Sequence, residues 1–300
     1  MPQPTRPPTR LNVRAAAKIN LSLLVGPLRD DGFHEVVSVM QAVGLWDEIE
    51  VQATPEGLGL EVEGEALPAD ESNLVLVAAR ELARRSRDLP GARFRLRKGI
   101  PVASGLGGGS ADGAAALRAL DRLWGLRLPA VNLFTMAAEV GADVPFCLNG
   151  GSRVATGRGE RLSEIPARGS LWWVIGIDAD RLATELVYRR FDELGLARPL
   201  RDRWPGGLLD ALAEGDLVQL GALLSNDLEA AAFDRLPRLA AGKQRLLEAG
   251  ALGAVMSGSG PTLLGLCRDE EHAGKVARAV HPWFARVETA RTPVPGVTFG

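Results

Sequence analysis

The chain has 300 residues, 46% of them apolar and 24% charged, with a formal net charge of -2. That length suits two ordinary domains or one large one, and the apolar share is enough for real cores. Near-neutral charge gives no electrostatic case for a nucleic-acid or membrane-surface partner.

Two cysteines, Cys147 and Cys267, sit inside apolar runs and read as buried small hydrophobes. No disulfide framework is expected, and the three histidines (His34, His272, His281) lack metal-ligand spacing, so no metal-binding residue is assigned. No apolar run approaches the ~18 residues of a membrane span. The first ten residues, MPQPTRPPTR, hold four prolines and no hydrophobic h-region. They read as a flexible lead-in rather than a signal peptide, and a cytoplasmic protein is expected.

Residues 11–24 form an extended entry in which Lys18 and Asn20, two apart, share one face of a strand. They are either a functional pair or the solvated face of an edge strand. Asp30-Asp31-Gly32 signals a turn, followed by Phe33-His34-Glu35 and a strand over 36–40. Phe33 beside His34 suits a base-stacking or ligand-edge site, or else a staple residue and a surface histidine. Residues 47–54 and 58–63 alternate as strands, and 73–87 is a helix opening on an Asn cap. Its arginine tail, 84–87, suits a helix C-terminus. Residues 93–98 alternate strictly, with Phe94 and Leu96 on one face, and deliver the chain to a glycine loop.

That loop reads Pro101-Val102-Ala103-Ser104-Gly105-Leu106-Gly107-Gly108-Gly109-Ser110-Ala111, with four glycines in five residues. An alanine-rich run follows, with Leu117, Leu120 and Leu123 on one helical face. Ser110 is the expected N-cap, and Asp112 is expected in the first turn, where a carboxylate suits the helix dipole. Glycines opening into a helix N-terminus make a phosphate cradle, since unpaired N–H groups and the dipole favour an anion. The bland alternative is a tight turn closing a strand onto a helix. The loop is neither a P-loop, which needs Lys-Ser/Thr after the last glycine, nor a dinucleotide fingerprint, which needs Gly or Ala where Ser110 stands.

A helix over 130–140 ends at Gly141, and Asp143 follows among small and apolar neighbours. Carboxylates are rarely buried without a task or partner, though a cap or turn role is the alternative. A glycine-rich hairpin covers 153–165, and 166–170 is the expected domain boundary. Beyond it come a strand over 171–177, the single tyrosine Tyr188, several short helices over 207–233 and another over 236–249 that stops at Gly250. A second glycine turn at 257–261 joins two strands as a hairpin, and a helix (269–280) and a strand (285–290) close the chain. This is an α+β sandwich pattern of ferredoxin-like layout.

Taken together, the loop 101–111, Ala17-Lys18-Ile19-Asn20-Leu21 and Met256-Ser257-Gly258-Ser259-Gly260-Pro261 resemble the three motifs of the GHMP kinases, named for galactokinase, homoserine, mevalonate and phosphomevalonate kinases. Asp31-Gly32-Phe33-His34-Glu35, Gly141-Ala142-Asp143-Val144-Pro145-Phe146 and Asn226-Asp227-Leu228-Glu229 are similar to the branch that acts on cytidine diphosphate methylerythritol. The resemblance covers about 11–290. It implies an α+β, two-domain GHMP-kinase fold. Residues 11–165 would form a ribosomal-S5-like α/β domain that binds ATP, and 166–300 a ferredoxin-like domain. It further implies ATP-dependent phosphorylation of the substrate's 2-hydroxyl, in the non-mevalonate (methylerythritol phosphate) route to isopentenyl diphosphate. Lys18 and Asp143 become the catalytic pair, the loop holds the ATP phosphates with Mg²⁺ as counter-charge, and His34 reads the cytosine edge. Phe33 and Tyr188 sandwich the base, while Thr184 and Asn20 line the substrate pocket. A small-molecule substrate, no nucleic acid, no membrane, and a monomer or weak homodimer complete the expectation. Three positions depart from the family pattern: Phe33 where tyrosine is usual, Ala111 where a second serine is usual, and Tyr188 where phenylalanine is familiar. The competing readings are a GHMP kinase for a smaller alcohol such as homoserine or mevalonate, a nucleotide-binding regulator without catalysis, and an RNA-binding module.

Overall fold

The entry strand is longer than its sequence pattern predicts. β1 spans Arg10–Leu28 and returns through the Asp30-Asp31-Gly32 turn into β2, His34–Thr54. The computed structural model describes residues 8–64, 67–85 and 89–300. Of the flexible lead-in expected over 1–10, residues 1–7 lie outside the described ones. Thr9 is already fixed, its carbonyl accepting the Ala53 N–H at 3.0 Å, and Arg10 opens β1.

β1 and β2 pair antiparallel, with register shifts at Ala16/Ala17, Asn20/Ser22 and Val25/Leu28. Each shift inserts a local bend, and two of them flank Lys18 and Asn20. β3 (Leu58–Glu63) lies parallel to β4 (Gly91–Arg97), and α1 (Leu74–Arg84) makes the crossover between them. The Asn73 side chain caps α1 as predicted, accepting the Val75 N–H at 3.0 Å. Of the arginine tail, Arg85 pairs with Glu81 and Glu139, while 86 and 87 lie outside the described residues. On β4, Phe94 and Leu96 are buried, whereas Arg93, Arg95 and Arg97 are exposed, the period-2 split that the sequence shows.

α2 (Gly108–Leu123), α3 (Ala130–Val140) and the short α4 (Val144–Asn149) follow, then a hairpin of β5 (Ser152–Gly157) and β6 (Arg161–Glu164). β5 joins the first sheet beside β2. Half of the buried residues of α2 are alanine, which lets the helix sit close on β1 and β2 and in turn buries β1.

The second half starts with β7 (Leu171–Ile177), α5 (Thr184–Glu193), α6 (Gly206–Glu214), α7 (Leu217–Leu223) and the two-residue β8 (Ser225–Asn226). It continues through α8 (Glu229–Arg235), α9 (Arg238–Glu248), the hairpin β9 (Gly253–Met256) and β10 (Leu263–Cys267), α10 (Glu270–Val280) and β11 (Arg286–Thr292). The second sheet, ordered β11-β7-β10-β9, is antiparallel throughout. This is the two-sheet α+β architecture expected.

Among the elements not foreseen, which include α4, α5 and β8, the last one matters most. A last strand, β12 (Val297–Phe299), leaves the second sheet and pairs with Val13–Ala15 of β1. The stretch 166–300 is therefore not a closed unit, and β8 also adds to β1, in parallel. The sheets are further tied by a buried chain in which Trp173 Nε1 donates to Thr292 Oγ1 at 3.0 Å, and that hydroxyl donates to Gln41 Oε1 at 2.6 Å. Both cysteines are free and buried. Among the described residues, no helix is long and apolar enough to cross a membrane.

Candidate active site

α2 starts three residues before the position its sequence suggests. Gly107, at φ 71° and ψ 23°, precedes the helix, and no side chain caps it. Ser110 is therefore inside the first turn rather than at its N-cap. A left-handed N-cap residue is strained for anything but glycine, so the glycine itself replaces the side-chain cap. Gly105 is also left-handed (φ 78°), and a Cβ there would lie 2.4 Å from the Ser257 carbonyl oxygen. The loop thus needs glycine for two reasons, backbone angle and close approach of the second glycine turn.

That second turn is fastened to the first. Ser257 Oγ donates to the Gly105 carbonyl at 3.1 Å. The buried Asn226 amide donates to the carbonyls of Met256 (2.8 Å) and Gly258 (2.7 Å). Its neighbours serve the same joint: Asp227 accepts the Val25 N–H and a bidentate Arg203, while Glu229 accepts the Met256 N–H at 2.9 Å. The Asn226–Glu229 motif was legible in the sequence, but its task was not.

Lys18 lies on a buried central strand, only 5% exposed, and Asn20 is 4% exposed, so the edge-strand alternative fails. Lys18 Nζ donates to Asn20 Oδ1 at 2.9 Å and stands 3.5 Å from Asp143 Oδ2. Asn20 donates in turn to Ser38 Oγ (2.8 Å), which donates to the Ser22 carbonyl (2.7 Å). This chain fixes the ammonium between the glycine loop and Asp143. Asp143 stands at the N-cap position of α4 but makes no capping hydrogen bond with its side chain, leaving its carboxylate to the cleft.

A cleft of about 500 Å³ contains these groups. Lys18, Asn20, Asp143, Thr184, Tyr188 and the loop residues Pro101–Gly105 and Gly107–Ser110 line it. Leu106 and Ala111 instead face the core, both fully buried. The Thr184 and Ser259 hydroxyls are 2.8 Å apart, joining the start of α5 to the second glycine turn.

At the far end the aromatic groups are arranged differently from the expectation. Phe33 is half exposed, with the Arg158 guanidinium 5.0 Å from its ring centroid. Arg158 lines the cleft, and no sequence motif singled it out. His34 is buried behind Tyr188, ring centroids 5.3 Å apart. Its Nδ1 meets the Gly26 carbonyl at 2.8 Å and its Nε2 the Asp192 carboxylate at 3.3 Å. Burial, with the charge of Asp143 adding to it, raises the Tyr188 phenol well above its ordinary pKa, so it stays neutral.

Beneath the loop is a charged group that sequence reasoning missed. Asp112, expected to serve the helix dipole, turns from the first-turn N–H groups to Lys98, whose Nζ donates to Asp112 Oδ2 at 2.7 Å and also to Asp47 Oδ2. Asp47 Oδ1 accepts the N–H groups of Gly99 (2.7 Å) and Ile100 (2.9 Å). Burial pushes the Asp112 carboxyl well above the usual range, with the Asp47 charge adding and Lys98 opposing. Lys98 closes the alternating stretch 93–98, and nothing local in the sequence marks it for this pairing.

Residues 73–151 match the GHMP kinases N terminal domain, and 208–285 match the GHMP kinases C terminal. A 4-diphosphocytidyl-2-C-methyl-D-erythritol kinase from Nocardioides sp. is 44% identical over 293 residues, covering 95% of this chain and 98% of that protein. A crystal structure of 4-(cytidine 5'-diphospho)-2C-methyl-D-erythritol kinase superposes with a TM-score of 0.80 at 33% identity, covering 94% of this chain and 98% of that one. Homoserine kinase from Cytophaga hutchinsonii shares the fold, with a TM-score of 0.78 at 22% identity over 99% of both chains. With Lys18, Asp143 and the glycine loop meeting in one cleft, and with identity this high along nearly its whole length, the chain belongs to the GHMP kinases, in the branch of the 4-diphosphocytidyl-2-C-methyl-D-erythritol kinases.

Proposed function

We propose that this chain transfers the γ-phosphoryl group of ATP to the 2-hydroxyl of 4-diphosphocytidyl-2-C-methyl-D-erythritol, a step of the methylerythritol phosphate route to isopentenyl diphosphate. The observation that carries the reading is the Lys18–Asp143 pair, 3.5 Å apart beside the glycine loop. Asp143 accepts the proton of the substrate hydroxyl as its oxygen bonds to the γ-phosphorus. The bond to the bridging oxygen breaks, and ADP leaves. Lys18, held by Asn20, neutralises charge on the transferring group. Because the transition state is loose, positioning and charge stabilisation are most of what the protein must supply.

The cradle suits phosphates. Its first-turn N–H groups are left without side-chain caps, and Cβ atoms at Gly105 and Gly107 would collide with the Ser257 carbonyl and the Lys18 side chain. For Mg²⁺, no cluster of three acidic, His or Cys side chains occurs among the described residues. That fits an ion held largely by the nucleotide's own phosphates. Ser110 in the first turn and Asp143 are the cleft-lining oxygens that could hold it. When bound, the ion supplies counter-charge to the phosphates.

For the base, Tyr188 on the cleft wall would offer one stacking face, and Phe33, outside the lining but against the Arg158 guanidinium, a second; Arg158 lines the cleft as a cation for a diphosphate. For the His34 ring to read the cytosine edge, Nε2 must exchange Asp192 for the base. The test is a coupled ADP-release assay with this substrate, run alongside Asp143→Asn. Turnover that falls by about 10²–10⁴ in the variant supports both substrate and role. Turnover with homoserine or mevalonate in its place would overturn the pocket assignment.

A further inference from the structure

The Asp47–Lys98–Asp112 group lies directly under the phosphate loop yet takes no part in the mechanism above. All three side chains are almost completely buried, Asp47 at 0%, Lys98 at 2% and Asp112 at 3% exposure. Burying three charges costs several kcal/mol of desolvation per ion, and apolar replacements of similar volume commonly match or exceed such groups in stability. Stability alone therefore does not account for the arrangement.

Its placement does. Lys98 is the residue after β4, at the entrance to the loop, and Asp112 is in the second turn of α2, past the exit. Asp47, on β2, holds the backbone of Gly99 and Ile100 with one oxygen and Lys98 with the other. Gly108, the first residue of α2, sits on this group so closely that a Cβ would lie 3.3 Å from Lys98 Nζ and 3.0 Å from Ile100 Cγ2. Lys98 and Asp112 both reach the cleft wall, and the ammonium, held between Asp47 and Asp112, ties entry, exit and floor of the loop to one point.

Building on the kinase reading, we infer that Asp47, Lys98 and Asp112 are positioning residues that hold the glycine loop in its phosphate-binding shape before the nucleotide arrives. A loop fixed in advance loses less conformational freedom on binding. The group therefore acts on nucleotide affinity and leaves the chemical step to Lys18 and Asp143.

The test measures ADP binding by calorimetry, KM for ATP, kcat and Tm on the full chain. It compares wild type with Asp112→Asn and with the neutralised triple variant Asp47→Asn, Lys98→Met, Asp112→Leu. Asp112→Asn keeps the shape and one acceptor, so it is expected to fold. It should raise the ADP Kd and KM for ATP about tenfold, with kcat at saturating ATP changed less than threefold. The triple variant should keep or raise Tm while weakening ADP at least as much, an opposition that a merely structural role would not produce. Variants that bind ADP within twofold of wild type overturn the inference, whether or not Tm falls. A loss confined to kcat overturns it as well. Wild type that binds no ADP removes the kinase reading itself, a separate failure visible before any variant is made.

Discussion

Replacing Gly107 by alanine isolates the contact between the phosphate loop and the catalytic lysine. Gly107 sits at φ 71°, where a Cβ costs about 1–2 kcal/mol. That Cβ would also stand 2.8 Å from Lys18 Cγ and 3.2 Å from its Cε. A free lysine would swing aside cheaply, but this one is 5% exposed and bonded through Nζ to Asn20 at 2.9 Å. Moving it weakens a charge-assisted hydrogen bond worth about 1.5–3 kcal/mol and misplaces the charge beside Asp143. At about 1.4 kcal/mol per decade, kcat should fall by roughly 10–100-fold, and Tm by a few degrees. Gly169→Ala is the control, because Gly169 has φ 74° and open space around a Cβ. It should lower Tm comparably and leave kcat unchanged in the ADP-release assay. If Gly107→Ala also keeps kcat within twofold, with its loss confined to Tm, the coupling of loop to lysine is refuted.

Phe33→Ala should raise KM for the cytidine substrate about 5–150-fold, from a stacking contribution of ~1–3 kcal/mol, and leave KM for ATP alone. Steady-state kinetics varying each substrate check this, and equal changes in both would sink the stacking role. Asn226→Ala strips the carbonyls of Met256 and Gly258 of a buried donor and should cost about 2–4 kcal/mol in urea unfolding. A loss under about 0.5 kcal/mol would show that the second glycine turn does not depend on it. Burial pushes the Cys267 thiol up to about 12 and that of Cys147 higher still, so neither carries thiolate at neutral pH. Native protein at pH 7.5 should resist iodoacetamide while urea-unfolded protein takes two labels, and rapid native labelling would contradict the burial.

Local chemistry fixed much of this protein by itself. Period-2 alternation sets β4, the Asn73 cap opens α1, Gly141 stops α3, and the density of glycines at 105–109 announces an anion cradle. Those features are short-range: backbone angle, capping and face periodicity act within a few residues and so leave their mark on the chain. Lys18 and Asp143, 125 positions apart, could be joined only through a family resemblance, because proximity across a fold has no local signature. The same is true of β12, three residues that read as a tail until β1 offers them an open edge. His34 and Asp112 show the limit most clearly. Each is polar and close to a functional motif, yet packing decides what it meets. Tyr188, Gly26 and Asp192 surround the imidazole, and the floor of the loop draws Asp112 into its ion pair with Lys98. A buried polar group takes whichever partner the tertiary structure brings within reach, since going without costs more than any local preference supplies.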